Sequence, residues 1–158
     1  MQRTSLQDIA DRLGITKPAL YYHFPSREDL VRSILVPLIE EGERFVAEHE
    51  SREHTEAREL LEGYFDFHYR HRRDLVLLLT ELSTLIDLDL IDTVLAWRER
   101  LATLVFGKRP TLAQSTRAVV AFGGLQDCCV QFPDAPQAEL RDKSVAAALD
   151  ALGVRPRR

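Results

Sequence analysis

The sequence predicts an all-α protein, with two short helices at its N-terminus and a bundle of longer helices after them. Three observations lead to this prediction. Apolar residues recur at spacings of three and four in the opening segment. A threonine or a serine stands ahead of each of the first three helical segments, where helix caps belong. The longest apolar stretch, residues 75–86, is rich in leucine and too long for an ordinary strand.

The first helix is predicted to begin at Thr4 and to end at Gly14. Thr4 and Gln7 have the spacing of a capping box, in which the two side chains satisfy backbone amides of the first turn. Glycine ends a helix well because it takes the left-handed conformation without a Cβ clash. One face of this helix is apolar and consists of Leu6, Ile9, Ala10 and Leu13.

The second helix is predicted to follow Thr16 as its cap and to stop before Pro25. Pro18 is tolerated in the first turn, because the amides there have no partner within the helix. Leu20 and Phe24 are four residues apart and are expected to face inward. The outward-facing residues are then Lys17, Ala19, Tyr21 and Tyr22.

Two short helices joined by a tight turn form a helix-turn-helix. In that motif the second helix enters the major groove of DNA, and its N-terminus directs amide donors at phosphate. A cation, a hydroxyl and phenols at the start of the second helix would suit this task. The alternative is an ordinary pair of antiparallel helices with tyrosines on its surface.

The motif resembles that of a known family. The stretch of residues 4–31 reads TSLQDIADRLGITKPALYYHFPSREDLV and resembles the DNA-binding signature of the TetR family of bacterial transcriptional regulators. It includes the family's Gly-hydrophobic-Thr turn, its Leu-Tyr-x-His-Phe core and its Ser-Arg-Glu-x-Leu helix start. The resemblance implies an all-helical homodimer, in most cases a repressor, with N-terminal heads that bind a palindromic operator in double-stranded DNA. A small-molecule effector is expected to bind the bodies and to release the DNA.

The resemblance also implies which residues contact DNA. The positions that match contacts to bases or to backbone at the start of the recognition helix are Thr16, Lys17, Pro18 and Ala19. Many relatives have glycine where Pro18 stands. The positions that match phosphate contacts are Thr4, Tyr21, Tyr22, His23 and Arg27. Phosphate contacts set register and base contacts specify sequence, so Lys17, Pro18 and Ala19 are expected to read the operator.

The sequence departs from the family pattern at its start. Relatives carry a further helix ahead of the position of Thr4, which covers the apolar face of the first predicted helix. We expect that the upstream sequence is incomplete. The alternative is a compromised head, and the rival function is then a helical ligand-binding dimer that does not bind DNA.

The remaining chain is predicted to form a helical body. We divide the protein into a DNA-binding domain at 1–33 and a ligand-binding and dimerisation domain at 34–158. Pro37 is expected to kink its helix or to remove one hydrogen bond. The last two helices carry leucines and small residues, among them Gly123 and Gly124, which suits close packing across a two-fold axis or within the chain. The predicted helices cover residues 26–50, 56–71, 75–86, 90–106, 111–129 and 137–152.

An effector cavity is expected inside this body, lined by aromatic residues and by one carboxylate. Glu81 lies in the middle of the apolar stretch 75–86 and needs either a basic partner or a ligand. An apolar ligand with a polar or cationic group would fit such a cavity. Plain core packing of the aromatics is the alternative. The aromatic candidates are Tyr64, Phe65, His68, Trp97, Phe106 and Phe122.

No catalytic, cofactor or metal site is predicted. His68 and His71 are three residues apart, but no third ligand stands near them in the sequence. Cys128 and Cys129 are interpreted as buried thiols of a reducing cytosol, with a vicinal redox pair as the alternative. Glycine-rich phosphate loops and nucleophile motifs are absent from the sequence. We therefore expect a regulator and not an enzyme.

Charge and hydropathy agree with a small DNA contact at one end of the chain. The net charge is −4, divided into +1 for residues 1–33 and −5 for the remainder. A nearly neutral head on an acidic body permits binding to DNA but does not require it. No apolar run reaches the ~20 residues that span a membrane, and no signal segment opens the sequence, so we expect a cytoplasmic protein.

Overall fold

The computed structural model describes residues 16–74 and 90–154, and its regular elements there are helices without strands. The prediction of an all-α protein is therefore confirmed for these residues. The predicted helix at Thr4, the apolar stretch 75–86 and Glu81 lie outside the described residues. The helices are α1 (Lys17–His23), α2 (Arg27–Glu50), α3 (Ala57–Arg70), α4 (Leu90–Phe106), α5 (Leu112–Gln131) and α6 (Gln137–Leu152).

Local capping signals explain where the helices begin. The Ser26 hydroxyl accepts a hydrogen bond from the Asp29 amide at 3.0 Å and donates one to the Asp29 carboxylate at 2.8 Å, and α2 follows. The Thr111 hydroxyl accepts from the Gln114 amide at 3.3 Å, and the Gln114 side chain accepts from the Thr111 amide at 2.8 Å. This capping box fixes the start of α5.

The helix α2 joins the head to the body without a break. Pro37 lies inside it on the exposed side, and the helix continues through this position from Arg27 to Glu50. The predicted domain boundary between residues 33 and 34 thus falls within α2. The division into two domains stays a prediction, and α2 is the element that both parts would share.

The core lies between α3, α5 and α6, which pack on one another, and α4 packs on α5. Phe65 and Phe122 are its largest fully buried side chains. A second buried cluster brings Leu35 and Leu38 of α2 against Phe67 of α3. These contacts bury one face of every long helix and leave the other face exposed.

The close helix packing predicted at Gly123 and Gly124 is not found within the described part of one chain, and their packing across a two-fold axis stays a prediction. Gly123 and Gly124 were expected to allow a close neighbouring helix, but among the described residues nothing lies within 4 Å of a Cβ built at either position. Both glycines lie on the outer side of α5, away from the core face that carries Ala121, Phe122 and Leu125. The sequence pattern could not show which side of the helix faces inward.

Candidate nucleic-acid interface and interior cluster

The helix α1 is a seven-residue element at the N-terminal end of α2. Its start is capped by Thr16, whose hydroxyl accepts from the Ala19 amide at 3.4 Å. After His23, Phe24 is half-buried and Pro25 is exposed, and Ser26 then caps α2. A helix of this length would be marginal alone, so α1 depends on its neighbours for stability.

The side of α1 that DNA would meet is rich in hydrogen-bonding groups. Tyr22 is 84% exposed, and its ring meets the ring of His23 edge to face at 5.3 Å. Tyr21 is 41% exposed. Phenol and imidazole groups at such positions can donate to phosphate oxygens.

The other predicted DNA contacts fall on the same short segment, except for one. Thr16, Pro18 and Ala19 are exposed at the start of α1. Lys17 is the first residue of α1 and Arg27 the first of α2. Thr4 lies outside the described residues. A role in DNA contact stays a prediction for every one of these residues.

Inside the body, three of the predicted effector residues lie together. The ring centroid of Tyr64 is 3.9 Å from that of His68 and 5.0 Å from that of Phe122. Nδ1 of His68 lies 2.8 Å from the Tyr64 carbonyl oxygen, and since a carbonyl only accepts, Nδ1 carries the proton. The Tyr64 hydroxyl lies 3.5 Å from the Gln126 side-chain oxygen.

Burial controls the ionisation of this cluster. It lowers the pKa of His68 to about 4, with smaller contributions from the nearby charges of His71 and Arg98. It also raises the pKa of the Tyr64 hydroxyl above its ordinary value. Both side chains are therefore neutral at pH 7.

The remaining predicted effector residues lie elsewhere. Phe65 is fully buried and stacks on Tyr69 at 5.5 Å. Trp97 lies against α2, where its ring covers Gly42. Phe106 lines a separate half-open cavity of about 660 Å³, together with Arg58 of α3 and residues of α5 and α6. The structure thus brings three of the predicted lining residues into one cluster, and the role of all of them in ligand binding stays a prediction.

The histidine pair does not share a site. His71 places Nε2 3.0 Å from a Glu41 carboxylate oxygen, and Nδ1 3.5 Å from Asp74, whereas His68 bonds to the Tyr64 carbonyl. No cluster of three potential metal ligands occurs in the part of the chain that the structure describes.

The two adjacent cysteines are free thiols with different surroundings. Cys129 is fully buried, and burial raises the pKa of its thiol to about 12. Cys128 is half-buried, and burial also raises its pKa. A thiol with a raised pKa is a poor nucleophile at neutral pH.

Sequence reasoning missed an ion-pair group between α2 and α4. Arg100 contacts the carboxylates of Glu43 and Glu50, each at 2.7 Å at its closest. The two glutamates are seven residues apart and share a face of α2, which is the only signal the sequence offers. Their partner lies 50 or more residues away in the chain.

Comparison with known proteins identifies the head. Residues 1–34 match the family model described as bacterial regulatory proteins, tetR family. The comparison with curated proteins found no significant match. Among the described helices, none carries an apolar segment of the length needed to cross a lipid bilayer.

The match covers the helix-turn-helix and the first turns of α2, and it confirms the resemblance found in the sequence. Members of that family are regulators rather than enzymes. The helix-turn-helix head and the helical body agree with the predicted fold class. The first 34 residues of this chain are therefore similar to the DNA-binding head of the tetR family of bacterial regulatory proteins.

Proposed function

We propose that this protein is a homodimeric repressor that acts in the cytoplasm, binds a palindromic operator and leaves it when a small-molecule effector binds. The observation that carries the proposal is the family match over α1 and its surroundings, together with the exposed polar side of α1. Two heads can occupy successive major grooves only at a separation of roughly 34 Å. A body geometry that changes this separation would lower the affinity for DNA.

In this proposal, Lys17, Pro18 and Ala19 lie next to base edges, since they occupy the first turn of α1. The N-terminus of a recognition helix is the part that enters the groove. The residues around this turn would hold the phosphates and set the register. These phosphate contacts are assigned to Thr4, Thr16, Tyr21, Tyr22, His23 and Arg27.

Dimerisation through α5 and α6 is supported by the outer face of α5. Leu112 is 81% exposed and Val120 63% exposed, and Val119 and Gly124 are also exposed on this side of the helix. Exposed aliphatic and small residues on one helix favour close packing with a second copy. The glycines without neighbours would then meet the partner subunit.

Effector binding is proposed at the cluster of Tyr64, His68 and Phe122. Its neutral hydrogen-bonding groups lie among apolar side chains, which is the composition of small-molecule sites. Phe65, Trp97 and Phe106 lie apart from this cluster, and their part in effector binding, like that of Glu81, stays a prediction from the sequence.

Fluorescence anisotropy tests DNA binding directly. The purified protein is titrated onto labelled DNA from its own upstream region and onto a scrambled duplex, at several salt concentrations. Specific binding with a steep salt dependence is expected. Equal or absent binding on both duplexes would contradict the proposal and favour a ligand-binding body that does not act on DNA.

The Lys17→Ala variant should weaken operator binding and leave dimerisation intact, because it removes a cation from the first turn of α1. If Lys17 neutralises one phosphate, the salt slope falls by about one. Lys108→Ala is the matched control, since Lys108 is an exposed lysine of the loop between α4 and α5. If the two variants bind the operator with equal affinity, Lys17 does not contact DNA.

A further inference from the structure

The helix α2 is the described connection between α1 and the body, and its second half carries ion pairs to α3 and α4. On one flank, the Arg100 guanidinium donates to Glu43 through Nη1, and to Glu50 through Nε and Nη2 at 2.8 and 2.7 Å. Paired bonds between a guanidinium and a carboxylate fix orientation as well as distance. This flank of α2 is thereby held on α4 at two points, two helical turns apart.

A close backbone contact adds to the same flank. The Trp97 ring lies on Gly42, where a Cβ would come within 2.8 Å of ring atom Cζ3. The indole Nε1 donates to the Glu43 carboxylate at 2.8 Å. Glu43 is thus shared by Trp97 and Arg100, and hydrogen bonds from Arg100 and then from Trp97 lower its pKa.

The opposite flank of α2 is held by α3. The two oxygens of Glu41 contact Arg70 at 2.7 Å and His71 at 3.0 Å. Glu41 and Glu43 are two residues apart, which places them about 200° apart around a helix. The buried residues Leu38 and Val46 lie on the face between these flanks. Rotation or tilt of α2 would therefore break contacts on one side or the other.

The contacts of Glu41 and Glu43 lie far along α2 from the head, so a small tilt of α2 there moves the head by a larger distance. Glu43 lies about 24 Å along the helix from Arg27, where α2 meets the α1 segment, at ~1.5 Å per residue. A tilt of about 5° at Glu43 would move the head by ~2 Å, which matters when two heads must fit successive major grooves.

We propose that Arg100 and Trp97 are positioning residues, which fix the tilt of α2 on α4 and thereby set the head separation that the operator requires. The inference rests on the proposed function, and it adds the contact that transmits a change in the body to the head. Because coupling between sites is reciprocal, an operator that binds one tilt of α2 also stabilises the contact between α2 and α4.

Trp97 is the single tryptophan of the sequence, so its fluorescence reports the α2–α4 contact without a label. The variant to test is Arg100→Gln. Its matched control is Arg141→Gln, since Arg141 binds Asp66 and Glu62 at 2.9 and 3.3 Å and is 34% exposed, against 29% for Arg100. Arg141 links α6 to α3, and the partners of its ion pairs lie on α3.

The first measurement needs no DNA. Acrylamide quenching of Trp97 should increase about twofold in Arg100→Gln and stay at the wild-type value in Arg141→Gln. Unchanged quenching in Arg100→Gln would overturn the inference, whether or not the protein binds DNA. Should Arg100→Gln fail to fold, Glu50→Gln removes one of the two carboxylates and should give a smaller change in the same direction.

The second measurement compares operators whose half-sites are moved apart or together by one base pair. Arg100→Gln should lose about tenfold in affinity for the best operator and discriminate less between spacings, a loss within the usual range of coupling between sites. An affinity and a spacing preference equal to those of Arg141→Gln would overturn the inference. If the wild type does not bind the operator at all, the proposed function is overturned. The acrylamide quenching of Trp97 then tests only whether Arg100 holds α2 on α4.

Discussion

The buried histidine makes the stability of this protein depend on pH in a way that one substitution can isolate. His68 is 5% exposed, and its ring lies among Tyr64 and Phe67, with His71 and Arg98 as the charged groups that influence it. Its pKa is about 4 in the folded chain, against 6.5 for an ordinary histidine. Between these values the unfolded chain binds more protons than the folded one.

The sign and the size of the effect follow from this difference. Well above pH 6.5, His68 is neutral in the folded and the unfolded state, so its titration does not change the free energy of unfolding. As the pH falls from 6.5 towards 4, His68 binds a proton in the unfolded state but not in the folded state. The free energy of unfolding therefore decreases. The loss amounts to about 2 kcal/mol at about pH 5 and approaches ~3 kcal/mol at about pH 4.

Urea unfolding of wild type and His68→Asn between about pH 7.5 and 4.5 measures this loss. The asparagine amide keeps a donor for the Tyr64 carbonyl but does not titrate. The difference in unfolding free energy between the two proteins should therefore shrink by about 2 kcal/mol on going to pH 5. Protein concentration is held constant, because a dimer would unfold with a concentration-dependent midpoint.

The control is His54→Asn, which makes the same substitution at a side chain that is 75% exposed. Parallel pH profiles for wild type and His68→Asn would refute the reasoning. They would mean that His68 has the same pKa in the folded chain as in the unfolded chain.

Two further predictions concern packing. Phe122→Ala should lower the free energy of unfolding by about 3–5 kcal/mol, because Phe122 is 1% exposed at the centre of the core. Urea unfolding measures this loss. A loss below about 1 kcal/mol would mean that the side chain of Phe122 is open to solvent. Val120→Glu should convert the proposed dimer to a monomer in sedimentation equilibrium, because it puts a charge on the outer face of α5. Lys108→Glu, on the loop before α5, serves as the control. A dimer that persists in Val120→Glu would exclude this face as the interface.

Local features of the structure could be predicted well from the sequence. The helices Leu90–Phe106 and Gln137–Leu152 lie where they were predicted, and the predicted caps at Thr16 and Ser26 are present. Such signals act over three or four residues, so the sequence contains all the information they need. The helix-turn-helix could be recognised for the same reason, because its caps, its turn and its apolar spacing each involve only a few neighbouring residues.

The arrangement of the body could not be predicted in the same way. Trp97 and Tyr64 were assigned to one cavity because both are aromatic, but Trp97 packs on Gly42 of α2 and Tyr64 on Phe122 of α5. Which helix a side chain meets depends on contacts between residues far apart in the chain. Periodicity identifies a buried face but does not name its neighbour.

The packing of the interior cluster bears on how an effector could act. Tyr64 and Phe122 are nearly fully buried, and no buried side-chain nitrogen or oxygen among the described residues lacks a hydrogen-bond partner. A ligand that contacts these side chains must therefore separate groups that now touch, so it binds a body conformation other than the one described here. A ligand shifts an equilibrium only by its difference in affinity for two conformations. The close packing of this cluster supplies such a difference in affinity, because a ligand among these side chains fits only a rearranged body.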